Sequence, residues 1–241
     1  MIKLVITMKK IQVELCIGTY EDFKALEGLP IDRIELNHAL ELGGLTPSIG
    51  LLNQIKAETS LPILCMVRPH AHGFHYCKQE IELMMFDAKQ LLEQGADGIV
   101  FGFLNEDLSI DEISTKLMTD LIHSYKKVAV FHKAFDQTAN LEEAVKTLIS
   151  CHVDRILTEG GNHQGQIEYG LPTLARLIQN HQNDIEILPG GGVRAHNVQH
   201  IVTTTKCNQI HTSCKEVHMI DGLTCVKTSK EKVVQFLEQL K

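Results

Sequence analysis

Residues 128–136 read V-A-V-F-H-K-A-F-D. A short apolar and β-branched run ends in His132, Lys133 and Asp136, so a buried strand would deliver titratable groups to the mouth of a sheet. Other strand-like runs end in the same way. Arg68 closes L-P-I-L-C-M-V-R-P, and Glu35 and Asn37 close D-R-I-E-L-N. Thr158 to Gly161 follow R-I-L, Gly190, Gly191 and Gly192 follow I-E-I-L-P, and His211, Ser213 and Cys214 follow Q-I. Such a set suits proton transfer or lysis on a small substrate. His132 titrates near neutrality, with Glu35 or Asp136 to orient or assist it, and His211 joins them. Arg68 could hold a carboxylate or phosphate. The glycines at 190, 191 and 192 with Ser213 offer backbone amides to an anion. No Ser-His-Asp motif is readable, and no H-E-x-x-H occurs.

These groups need elements to position them, and a strand-then-helix alternation can be followed eight times. The strands are expected at about 11–16, 32–36, 62–67, 98–102, 128–131, 155–157, 185–188 and 209–212. Thr46 and Pro47 read as the start of a helix, and Gly95 as the stop of a long one. The stretch 215–228 reads as an irregular excursion before a last helix. The expectation is an α/β chain forming a single (β/α)8 TIM barrel over residues 1–241, with 1–8 as an N-terminal extension and Met8 as a possible natural start. An open doubly wound sheet would want a G-x-G-x-x-G turn after the first strand, and C-I-G-T-Y is not one.

Strand parity then sorts the side chains. Gln12, Glu14 and Cys16 point inward, as do Arg33, Glu35, Asn37, Arg68, His132, Gln209, His211 and Ser213, while Cys65 faces the helices. The expected interior is polar, and its charges must be paired. For Glu14 and Arg33 a structural ion pair competes with a functional role.

Composition excludes several classes. The 241 residues are 44% apolar and 22% charged, as for a globular protein with a core, and the net charge of −7 without a basic run argues against nucleic acid as a partner. No apolar stretch approaches the ~18 residues of a membrane span. Seven scattered cysteines without a C-x-x-C fit a reducing cytoplasm.

The motifs V-E-L-C at 13–16, R-I-E-L at 33–36, G-G-L-T-P-S at 43–48 and M-V-R-P at 66–69 continue with F-H-x-A-F-D at 131–136 and R-I-L-T at 155–158. G-G-G-V-R-A-x-N at 190–197 and I-H-T-S at 210–213 complete the set. With these the chain resembles the CutC family along nearly its whole length. The resemblance implies a cytoplasmic TIM barrel with a proposed role in copper handling. Where the family has Glu-Leu-Cys this chain has Glu35-Leu36-Asn37, and R-P-R-G-G-D-F becomes R-P-H-A-H-G-F at 68–74. Lys133 replaces an Arg, and Glu159 a Ser. Every departure falls at the expected active face.

Copper as cofactor would look to Cys16, since Cu(I) prefers soft ligands, and Asn37 beside it is a poorer partner than a second thiol. Cys214 could approach the same face. His70, His72 and His75 with Cys77 give a second spacing that could serve Cu or Zn, against which stands an ordinary solvated loop. The expected partners are therefore a copper ion or a small phosphorylated or carboxylated anion, with a homodimer formed through helices and loops.

Overall fold

The structure, a computed structural model, describes residues 10–241. The proposed extension at 1–8 lies outside the described residues. Eight parallel strands run through β1 (Gln12–Ile17), β2 (Arg33–Leu36), β3 (Ile63–Met66), β4 (Gly98–Phe101), β5 (Val128–Phe131), β6 (Arg155–Thr158), β7 (Glu186–Pro189) and β8 (Gln209–Thr212). The helices between them are α1 (Tyr20–Ala25), α2 (Ile49–Lys56), α3 (Lys78–Glu93), α4 (Glu112–Ser124), α5 (Leu141–Ser150), α6 (Leu171–His181) and α7 (Val198–Thr205), with α8 (Lys230–Glu238) last. From β1 to β7 each strand pairs in parallel with the next, and β1 also pairs with β8, which makes the (β/α)8 barrel. Between β7 and β8 there is no main-chain ladder. Side chains bridge that seam: the Gln209 amide reaches the Ile187 carbonyl at 3.4 Å, and the Thr212 hydroxyl donates to Val193 at 2.8 Å.

Parity holds where a strand alternates. Val13, Leu15, Ile34 and Leu36 enter the core under the helices, while Glu14, Arg33, Glu35 and Gln209 meet inside the barrel. Cys65 faces the helices as expected. The expectation of a polar interior holds for half of it only. Leu64, Met66, Val100, Val130, Leu157 and Leu188 pack on one another as a separate apolar cluster inside the barrel. Strands β3 to β5 are apolar on both faces because helices cover the outside and this cluster fills the inside. The polar groups are gathered on β8, β1 and β2, with the Arg155–Glu186 ion pair at the start of β6 and β7 joined to them through Gln209.

Two local expectations change. Ser48, not Thr46, caps α2, accepting the Leu51 amide at 3.1 Å. The Thr46 hydroxyl instead accepts the Arg68 amide at 2.9 Å and ties two loops together at the barrel mouth. Residues 215–228 are a regular antiparallel hairpin, β9 (Lys215–Ile220) and β10 (Leu223–Thr228), turned by Asp221 and Gly222, both at positive φ. Asp22 in α1 holds its base by accepting the Thr228 amide at 2.7 Å.

The buried Arg33–Glu14 ion pair fixes the polar half. Arg33 also donates to Gln209 at 2.7 Å. Removing one partner leaves an uncompensated buried charge, so Arg33→Met is expected to destabilise by roughly 3–5 kcal/mol in urea unfolding. The double change Arg33→Met with Glu14→Gln should recover most of that; if it does not, the pairing is not what Arg33 contributes.

Candidate functional site

Three strands build one wall. Cys16 from β1, Glu35 from β2 and His211 from β8 place their donor atoms within 4.8 Å of one another. His211 Nδ1 donates to Glu14 at 2.7 Å and stands 3.9 Å from Glu35 Oε2. Asn37 donates to Glu35 Oε1 at 2.8 Å and to Cys16 Sγ at 3.3 Å. Glu35 Oε2 is buried without a hydrogen-bond partner.

The charges differ from those of exposed groups. Burial pushes Glu14 up, but the His211 hydrogen bond and the Arg33 charge outweigh it and hold its carboxyl at about 2. Burial, reinforced by the Glu14 charge, raises Glu35 even against His211. His211 is raised, because the two carboxylates overcome its burial. Cys16 is pushed well above the usual thiol range by burial and by Glu35 and Glu14, so it stays a thiol. The wall thus holds His211, locked to Glu14 and biased toward its protonated form, beside a carboxyl group with one free oxygen.

Opposite stands His132, at the end of β5. The Ala134 amide donates to its Nδ1 at 3.1 Å, which caps a short 3-10 turn (Lys133–Gln137) and leaves the proton on Nε2. Nε2 has no partner, and the Phe74 ring lies 4.7 Å away. Burial, aided by the Arg68 charge, brings His132 down to about 3. It is therefore not a base titrating near neutrality, as its position in the sequence suggested. It is a neutral N–H donor. Glu35, His132, His211, Cys16, Arg68 and Lys133 line one pocket of about 450 Å³.

Arg68 reaches this pocket as a strut. Its guanidinium donates to the carbonyls of Gly44 at 3.3 Å, Ala71 at 3.0 Å and His72 at 2.9 Å, and its charge lies 4.9 Å above the Phe74 ring. Only Nε is left unpartnered, so a bidentate clamp on a carboxylate is not available to it.

Asp136 is absent from the pocket lining. Burial lifts it to about 6, against hydrogen bonds from Thr158, Glu159 and Gly161. The amides of Glu159 and Gly161 both reach it at 3.0 Å, so it moulds the loop after β6. That loop carries Glu159, buried and paired with Lys133 at 3.0 Å. Two of the positions that depart from the family pattern thus neutralise each other.

Gly191, Gly192 and Ser213 line the pocket, and Gly190 packs beneath His211. The short helix that often completes an anion seat after β8 is replaced here by the hairpin, whose first residue, Lys215, also lines the pocket. Lys215 is not marked by the sequence motifs; its place four residues past His211 is the available signal.

Other expected ligands lie elsewhere. Cys214, at φ +43°, turns back into the core under the helices and contacts Thr212 at 3.6 Å. His70 pairs with Glu80 at 3.0 Å, and His75 meets the Leu104 carbonyl at 3.2 Å. His72 lies against His70 with ring centroids 4.7 Å apart. Cys77 is exposed at the start of α3. Among the described residues these side chains do not converge as a metal-ligand set.

The model of the CutC family matches residues 11–216. The chain belongs to the CutC family. A Treponema denticola protein named as a family protein CutC is 42% identical over 205 residues, 85% of this chain and 81% of that protein. A Homo sapiens relative named copper homeostasis protein cutC homolog is 36% identical over 204 residues, 84% of this chain and 73% of its own. The crystal structure of the putative copper homeostasis protein CutC from Streptococcus agalactiae superposes with a TM-score of 0.78 at 29% identity, covering 83% of this chain and 97% of that one. A phosphoribosylanthranilate isomerase from Thermotoga maritima, at 11% identity and TM-score 0.59, shares the fold.

The family name raises copper, and the donors can be tested against it. Cu(I) favours two or more soft ligands. The wall offers one thiol, protonated and receiving the Asn37 N–H, with a carboxylate and an imidazole as the other donors. Met66 supplies a thioether to the same pocket lining. The Cys16, Glu35 and His211 set does not fit Cu(I); its mixed sulfur, oxygen and nitrogen donors match a borderline divalent ion better. Among the described residues no helix is long and apolar enough to cross a membrane.

Proposed function

We propose that this CutC-family chain is an enzyme that moves a proton next to the carbonyl of a small anionic metabolite, the step shared by isomerases and aldol-type lyases. One observation carries the reading. A buried acceptor without a partner, Glu35 Oε2, and a buried donor without a partner, His132 Nε2–H, line the same pocket. In that arrangement Glu35 takes the proton from the carbon beside the carbonyl. The carbonyl oxygen, gaining charge, accepts the hydrogen bond from His132. A neutral imidazole is a suitable partner for a developing enolate, because it donates without giving up its proton. The proton then returns from Glu35 to carbon. His211, locked to Glu14, stands 3.9 Å from Glu35 Oε2, beside the carboxylate that begins and ends the cycle. The test is loss of the α-proton signal in deuterated water, followed by NMR across short hydroxyaldehydes and hydroxyketones, with wild type and Glu35→Gln.

The second reading is copper handling, favoured by the names of the relatives and by the Cys16, Glu35 and His211 group. Its decisive measurement is an anaerobic Cu(I) titration against a competing chelator, on wild type and Cys16→Ala. The donor set leads us to expect weak, non-stoichiometric binding that the substitution leaves unchanged. Tight one-to-one binding lost in Cys16→Ala would establish the copper role instead.

A further inference from the structure

We propose that the β7–β8 end of the pocket seats a phosphate group, so that the substrate is a phosphate monoester of a short hydroxycarbonyl compound. This rests on the proton-transfer reading and gives it a substrate class.

The seat is read from main chain first. The amides of Gly191, Gly192 and Ser213 donate to no protein acceptor among the described residues. Gly191 and Gly192 both have positive φ, and a Cβ on Gly192 would stand 1.8 Å from the Gly165 carbonyl oxygen. Only glycine fits at 192, and glycine lets a ligand approach the main chain closely.

Charge supplies the second argument. Arg194 and Lys215 line the pocket at the same end, and among the described residues neither side chain has a carboxylate partner. Arg194 donates only to the adjacent Val193 carbonyl, at 2.7 Å. In a chain of net charge −7, two unpaired cations at one pocket end are a matched seat for a dianion. The acidic neighbour does not oppose this. Glu159 lies beside Gly191, but its carboxylate is taken up by Lys133 at 3.0 Å and by the Gly165 amide at 2.7 Å.

Strand order limits the length of the molecule. Ser213 follows β8, Glu35 sits on β2, and β1 lies between them. Two strand spacings of about 4.8 Å put the seat and the base roughly 10 Å apart. With a hydrogen bond of about 3 Å at either end, about 4 Å remain for the chain. The carbonyl therefore lies within a few carbons of the ester oxygen. Asn37, whose Oδ1 is buried without a partner, and Gln164 line the same pocket and suit hydroxyl groups.

The experiment is a calorimetric titration of the full chain with inorganic phosphate, then with glyceraldehyde and glyceraldehyde 3-phosphate. It compares wild type with Arg194→Met, Lys215→Met and the double variant. Both side chains are partly exposed, so the variants should fold, and unchanged thermal midpoints check this. We expect saturable phosphate binding, weakened about tenfold or more by each change and lost in the double variant. Arg194→Lys with Lys215→Arg should retain it. The phosphorylated aldehyde should bind at least about a hundredfold more tightly than the free one. Phosphate binding that is absent from wild type, or equal in wild type and the double variant, would overturn the seat. The two readings fail separately. Proton exchange on unphosphorylated glyceraldehyde, lost in Glu35→Gln, would uphold the acid–base pocket even without a seat. Phosphate binding that persists in Glu35→Gln with no exchange in wild type would leave the seat standing and remove the proton-transfer reading.

Discussion

Glu35→Gln is expected to slow α-proton exchange by about 10²–10⁴-fold while leaving the fold at least as stable at neutral pH. Gln keeps the shape and can still accept the Asn37 hydrogen bond that holds Glu35 Oε1 at 2.8 Å. It lacks only the basic oxygen. Stability should follow the raised carboxyl. The folded form binds the proton of Glu35 more tightly than the unfolded chain does, so stability falls as pH rises from the usual carboxylate range through the folded value. Gln removes that slope. Exchange rates in deuterated water and urea midpoints at pH 5 and pH 8 measure both effects. A variant that exchanges at the wild-type rate would show that Glu35 is not the base.

The other large effect lies with His132, and it appears in acid. Its folded value of about 3 lies below the ordinary 6.5, so the unfolded chain takes up a proton that the folded chain refuses. The contribution to stability is complete above about pH 6.5 and is lost as pH falls toward 3, by on the order of 4–5 kcal/mol at the lower end. Glu14, held at about 2, adds a loss of the same sign below pH 4.5. Asp136, lifted to about 6, works in the opposite direction, gaining stability as pH falls through that value. The His132 contribution is therefore read as the difference between wild type and His132→Gln, whose stabilities should converge between pH 6.5 and 4. A constant gap across that window would mean that His132 titrates normally. The same neutrality predicts an activity profile in which no group near pH 6.5 belongs to His132.

The barrel was legible because alternation marked its polar strands. Q-V-E-L-C and R-I-E-L place Glu14, Cys16, Arg33 and Glu35 on one face by period alone, and the structure puts them there. In β3 to β5 both faces are apolar, so parity has nothing to contrast and does not report the inner cluster around Val100 and Leu188. The charge state of His132 depends on an amide two residues on and on the loss of water around it, which no spacing reports. Arg68 looked like a ligand clamp because the groups that hold it, Gly44 in the loop after β2 and Ala71 and His72 just beyond Arg68, are main-chain carbonyls that no side-chain pattern reports. The hairpin was legible and was passed over: D-G at 221–222 between two alternating runs is a turn signal.

A ring closed on one side by side chains instead of main chain behaves as a sheet with two free edges held face to face. Those edges, β7 and β8, are where amide protons should exchange soonest with solvent. The loops that leave them carry Gly191, Gly192 and Ser213. A ligand gripping both loops would act as a clasp across the opening, and its binding energy would be recorded as slowed exchange along these two strands while the outline of the barrel stayed the same.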